Sequence, residues 1–191
     1  MASAIRLPVS RLAGLLLLLC GCSAATPEAA CARFVRGVRQ GDGAQVFDAL
    51  FRPTQWSLYS VARCQSEMRK LILRDYPPAE RQAALARLMD GQSNSGRDLF
   101  QRIYGERYAQ AFQRRLGQGP LRLQRDGEAV LCGREGGEPF RFELAKEGGW
   151  GMAELDREWE QAKVRAHHDL DTVRDNARLY REARTRPQET P

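Results

Sequence analysis

Residues 121–152 read LRLQRDGEAVLCGREGGEPFRFELAKEGGWGM, and their hydrophobic period is two. Leu121 and Leu123 alternate with Arg122 and Gln124, and Phe140, Phe142 and Leu144 alternate with Arg141 and Glu143. Alternation of this kind puts apolar side chains on one face of a strand and polar ones on the other. Asp126-Gly127 is a hairpin signal leading into Ala129–Cys132. Gly136-Gly137 and Gly148-Gly149 mark two more turns, and Trp150 and Met152 make a last short strand. Turns this short join neighbours, so the four strands should form an antiparallel meander.

On both sides of this stretch the period changes to about 3.6 residues. From Ala29, the residues Phe34, Val35 and Val38 form an apolar stripe that stops at Gly41-Asp42-Gly43. A short helix with Val46, Phe47, Leu50 and Phe51 follows, and Pro53 opens a longer one from Gln55 to about Arg74. Tyr76-Pro77-Pro78 ends it, and Pro78 or Ala79 starts another through Leu85, Leu88 and Met89. After the polar loop Asp90–Gly96, one helix from near Arg97 to Leu116 holds the strongest stripe, with Leu99, Phe100, Ile103, Tyr104, Tyr108 and Phe112 on one side. A final charged helix runs from about Glu154 to Arg184. Helices followed by a meander with one apolar face make an α+β architecture: N-terminal helices on a four-stranded antiparallel curved sheet, then a long C-terminal helix.

The N-terminal stretch has a different character. Arg6 and Arg11 precede the apolar run Leu12–Leu19, and small residues follow it, which is the pattern of a secretory signal. The run is far short of the ~20 residues that span a bilayer. It ends in Leu19-Cys20-Gly21-Cys22-Ser23. This resembles the bacterial lipobox, Leu-x-(Gly/Ala)-Cys, although Ala or Ser is commoner where Cys20 stands. The resemblance implies that Cys22 takes diacylglycerol on its sulfur, that residues 1–21 are removed, and that the new amino group is acylated. Several acyl chains on one residue exceed what stable membrane anchoring requires. In such lipoproteins Ser23 after the cysteine favours the outer membrane. The rival is an ordinary cut near Ala24-Ala25, which leaves a soluble protein.

The expected organisation is a leader at 1–21, a tether at 22–28, an α+β domain at 29–153, the terminal helix at 154–185 and a disordered tail at 186–191. The opening Phe34-Val35-Arg36-Gly37-Val38-Arg39-Gln40-Gly41-Asp42 and the closing Gly148-Gly149-Trp150-Gly151-Met152 resemble the helix end and last strand of NTF2-like proteins. That likeness covers roughly residues 29–153. It implies a curved sheet wrapped over helices, in some members around a pocket with an acid or base.

Chemistry-bearing patterns are few. Losing the leader lowers the net charge of +6 by two, the charges of Arg6 and Arg11, and basic residues stay mixed with acidic ones. No one-sign stripe with interleaved aromatics suggests a nucleic-acid partner. Cys31, Cys64 and Cys132 allow one disulfide in any of three pairings, or three buried thiols; their spacing resembles no zinc pattern. Tyr104 and Tyr108 lie one turn apart, either as core aromatics or lining a pocket. His167 and His168 lie on the charged last helix near Asp169 and Asp171, where an exposed pair outweighs a metal patch. No catalytic residue, metal or cofactor is assigned. In the last helix Leu155, Trp159, Ala162, Ala166, Leu170, Val173, Ala177 and Tyr180 recur at steps of three and four, a seam for another helix. The seam either folds back on its own domain or receives a protein partner or a second copy. The leading expectation is a lipid-anchored envelope protein, non-catalytic and acting through protein contacts. The second is an NTF2-like pocket that binds a small apolar ligand or does simple acid–base chemistry.

Overall fold

Thr26 starts the first helix, α1 (Pro27–Gln40): its hydroxyl oxygen accepts the Ala29 N–H at 3.2 Å. Pro27 takes a first-turn position, where the missing N–H costs nothing. The helix therefore begins two residues before Ala29, so the boundary expected at residue 28 falls inside α1. The computed structural model describes residues 25–88 and 93–185. The leader, Cys22, Met89, Asp90 and the tail at 186–191 lie outside the described residues.

Gly41 ends α1 in the left-handed region, φ 66°, which glycine adopts without strain. Asp42 then caps α2 (Gly43–Asp48), its carboxylate accepting the Ala44 and Gln45 N–H groups at 2.9 and 3.1 Å. The expected continuation to Phe51 does not form, because the chain straightens and bonds to the sheet instead. The Met152 N–H donates to Ala49 O and the Phe51 N–H to Met152 O, both at 2.9 Å. Four more helices precede the sheet: α3 (Arg52–Asp75), α4 (Pro78–Leu85), α5 (Gly96–Arg107) and α6 (Ala109–Leu116). The helix expected from Arg97 to Leu116 is thus two, meeting at Tyr108. Gly105 weakens the helix one turn earlier, and the change of direction brings Phe112 against Phe34 and Phe140, with ring centroids 5.7 and 5.4 Å away.

The strands β1 (Leu121–Asp126), β2 (Ala129–Arg134), β3 (Phe140–Leu144) and β4 (Trp150–Met152) pair antiparallel in sequence order. The register sets Leu123 opposite Cys132, Cys132 opposite Phe140, Val130 opposite Phe142 and Phe142 opposite Met152. These residues share the face that α1 covers. Phe34 fills its centre, 4.7 Å from the Phe140 ring and 5.7 Å from that of Phe142. Each of the three rings is fully buried.

The last helix, α7 (Asp156–Thr185), lies along α3. Thr54 meets Asp156, Ser57 meets Glu160, Glu67 meets Arg174 and Asp75 meets Arg181. Because both sequence numbers rise together, the two helices are parallel. Trp159, Ala162, Ala166, Leu170 and Ala177 are buried, so of its two possible arrangements the seam takes the one that folds back on its own domain, against α3. Alanines in the seam let the backbones approach closely. Gly96 does the same for α5 on α3: a Cβ there would stand 2.5 Å from the Tyr59 backbone nitrogen.

Candidate functional site

The cysteines come apart into two kinds. Cys31 of α1 and Cys132 of β2 are joined, with Cα atoms 5.9 Å apart. Cys64 of α3 is a buried free thiol, and burial, followed by the charge of Glu67, raises its pKa. A thiol held protonated and covered is a poor nucleophile.

Tyr104 and Tyr108 both turn inward, but their hydroxyl groups meet different surroundings. Tyr108 donates to Glu158 Oε1 of α7 at 2.6 Å. Burial pushes its phenol pKa well up, and the bond to Glu158 adds to this. The nearby Trp159 indole N–H works the other way, although it falls short of a well-formed hydrogen bond. The Tyr104 hydroxyl is buried with no partner among the described residues, and burial lifts its pKa to about 12. Both rings belong to the aromatic stack that runs from Phe100 to Phe112, so they pack rather than line a pocket. The inner face of the sheet, where an NTF2-like pocket would open, is occupied by Phe34, Phe140 and Phe142.

His167 and His168 are exposed on α7, and a ring nitrogen of His167 lies 2.8 Å from Lys163 O. Asp171, the proposed neighbour, pairs with Arg174 at 3.1 Å. Among the described residues no group of three or more His, Cys, Asp or Glu is placed to hold a metal ion.

Two surface features around α3 stand out. On its outer face Trp56 and Tyr59 are 49% and 44% exposed, unusual for aromatics. Tyr59 is held in place by an edge contact to Phe47, centroids 5.7 Å apart, and by Gly96 against its backbone. Next to it Arg97 makes a two-pronged pair with Asp48, at 3.2 and 2.9 Å. The other feature is a groove between α3, α4 and α7, into which Gln65, Ile72 and Tyr76 project.

The charged cluster around Asp75, which ties the end of α3 to α7, was not singled out from the sequence. Asp75 is 2% exposed and takes both prongs of Arg74, with Arg181 Nη1 at 3.2 Å and Arg184 Nη2 at 3.7 Å. The hydrogen bonds from Arg74 hold its pKa below the usual carboxylate range, against the effect of burial. Asp156 goes the other way: burial raises its carboxyl, and the Thr54 hydroxyl only partly compensates. Polar residues on the apolar stripe of a helix were the available signal: Thr54, Ser57, Gln65 and Asp75 fall in register with Leu58, Val61, Met68 and Ile72.

No protein-family model matches the chain, and no curated protein or solved structure matches it. Among the described residues no helix is long and apolar enough to cross a membrane.

Proposed function

We propose that this chain is a lipid-anchored protein of the bacterial cell envelope, held at the outer membrane by acyl chains on Cys22, whose folded part works through contacts with other proteins. The observation that carries the reading is the run Leu15–Leu19 ending in Leu19-Cys20-Gly21-Cys22. Small residues at the end of an apolar run give a peptidase access to the backbone, and the thiol supplies the nucleophile that takes the lipid. The Cys31–Cys132 bond supports the same compartment, because disulfides persist where the surroundings are oxidising. Trp56 and Tyr59 support the contact role: exposed aromatics on a rigid helix resemble the anchors of protein interfaces.

The experiment is metabolic labelling of cells with an alkyne fatty acid, comparing the wild type with Cys22→Ser. Label on the wild type that disappears in the variant is expected, together with membrane fractionation of the wild type. An unlabelled wild type overturns the anchor. The contact role is tested separately by placing a photoreactive phenylalanine at position 56 or at position 168. A discrete adduct from position 56 alone is expected; adducts from neither, or equally from both, overturn it.

A further inference from the structure

The face of α3 that turns away from the core carries a pattern of its own. Arg52, Trp56, Tyr59 and Arg63 recur at steps of four, three and four, so they share one side of the helix. Two half-exposed aromatics are thus bracketed by two cations, and no acid stands on α3 before Glu67. Glu67 is itself taken by Arg174, at 2.6 Å.

At its Arg52 end the stripe opens into a cleft of about 530 Å³ between α1, α2, α3 and the turn from β3 to β4. Arg33 and Arg36 of α1 line this cleft together with Arg52, Tyr59 and Trp150. Asp48, the acid in its lining, is held by both prongs of Arg97 at 3.2 and 2.9 Å. Lys146 and Glu147, exposed in the adjoining turn, offset each other. The Arg36, Arg52 and Arg63 guanidinium groups have no ion-pair or hydrogen-bond partner among the described residues. The cleft and the stripe therefore present a positive field beside two accessible rings.

We propose that the protein partner of this chain presents an acidic segment with an apolar centre. Its carboxylates pair with Arg36 and Arg52 in the cleft and with Arg63 at the far end, and its centre lies on Trp56 and Tyr59. This partner chemistry rests on the contact role proposed above. Arginine meets a carboxylate with two parallel N–H bonds, and Trp, Tyr and Arg are the residue types that dominate the energetics of interfaces. Arg63 stands eleven residues after Arg52, about 16 Å along the helix, which about five residues of extended chain cover. A nucleic acid fits less well, because a run of phosphates calls for a continuous basic track and this stripe ends at Glu67.

The full chain with a photoreactive phenylalanine at position 56 is crosslinked in cells, and the adducted peptide of the partner is sequenced by mass spectrometry. Two triple variants are compared, each losing the same charge. One carries Arg36→Gln, Arg52→Gln and Arg63→Gln; the other carries Arg107→Gln, Arg114→Gln and Arg125→Gln, none of which lines the cleft. The expected result is an adduct on a segment with Asp or Glu on both sides of apolar residues, lost in the first triple and kept in the second. Should the first triple fail to fold, Arg63→Glu alone, at an exposed position, should also lose the adduct. An adduct undiminished in these variants, lost equally in both triples, or lying on a segment without acids overturns the acidic partner and leaves the contact role standing. An adduct on nucleic acid or lipid overturns both, as does the absence of any adduct from position 56.

Discussion

Cys31 on α1 is bonded to Cys132 on β2, across a sequence separation of 101 residues. The link fastens the first helix to the second strand, next to the Phe34 ring that fills the sheet. Closing a loop of this length removes much of the freedom of the unfolded chain, by about 4.7 kcal/mol in the entropic account. Cys31→Ser with Cys132→Ser is expected to lower the unfolding free energy by roughly 3–4 kcal/mol. Urea titration of the two forms checks this, with reductant added to the wild type as a second route to the same loss. In the Cys22→Ser chain Cys64 should react with a thiol reagent only after unfolding, since it is buried.

Asp75 sits at the C-terminal end of α3, where the helix dipole disfavours a negative charge, and Arg74, Arg181 and Arg184 offset this. Its folded pKa is below the unfolded value of about 3.9. The stability it contributes is therefore fully present above that value and is lost as pH falls through the folded pKa. Asp75→Asn should cost on the order of 1 kcal/mol at pH 7, since the three arginines are about half exposed and solvent screens them. The check is the urea midpoint between pH 5 and pH 2, where the wild type should decline more steeply than the variant.

The meander was legible because its signals are local: alternation places Phe140, Phe142 and Met152 on one face, and short glycine turns force neighbouring strands to pair. The pairing of α3 with α7 was not, because a seam of Trp159, Ala162 and Ala166 says that a helix packs there without saying which one. The three possible cysteine pairings were equal in sequence and became distinct only once α1 lay across β2. Thr26-Pro27 did carry a start signal, which the small residues before it obscured. Gln65 escaped notice because counting apolar positions passes over a polar residue standing among them.

Phe34 has three aromatic neighbours from α6 and β3, with centroids between 4.7 and 5.7 Å away, and no exposed surface. Phe34→Ala removes the ring that joins α1, α6 and the sheet, and a cavity this enclosed cannot collapse easily. A loss of about 3–5 kcal/mol is expected, against below about 1.5 kcal/mol for Phe34→Leu if the core repacks around a near-matched volume. Chemical denaturation of both variants at one pH decides it. Losses of the same size would mean that the contact of the ring with Phe140, rather than its volume, carries the effect.

Tyr104 and Tyr108 offer the sharpest contrast, since they are alike in burial and opposite in hydrogen bonding. Tyr104→Phe removes a buried hydroxyl without a partner, so stability should be unchanged or rise by up to about 1 kcal/mol. Tyr108→Phe removes the donor to Glu158, and stability should fall by about 1 kcal/mol. The two phenols also shape the alkaline limit. Burial raises the folded pKa of each above the unfolded value of about 10, that of Tyr104 to about 12. Their contribution is thus fully present below pH 10 and is lost as pH rises from there through the folded values. Thermal unfolding between pH 8 and pH 12 should show the wild type destabilised above pH 10, with each Phe variant falling less steeply. Phenolate absorbance gives the independent check: Tyr104 and Tyr108 should titrate late in the folded chain, and the delay should vanish once it unfolds. Curves of the folded wild type that do not change at high pH in Tyr104→Phe and Tyr108→Phe would show that neither ring is sealed from water.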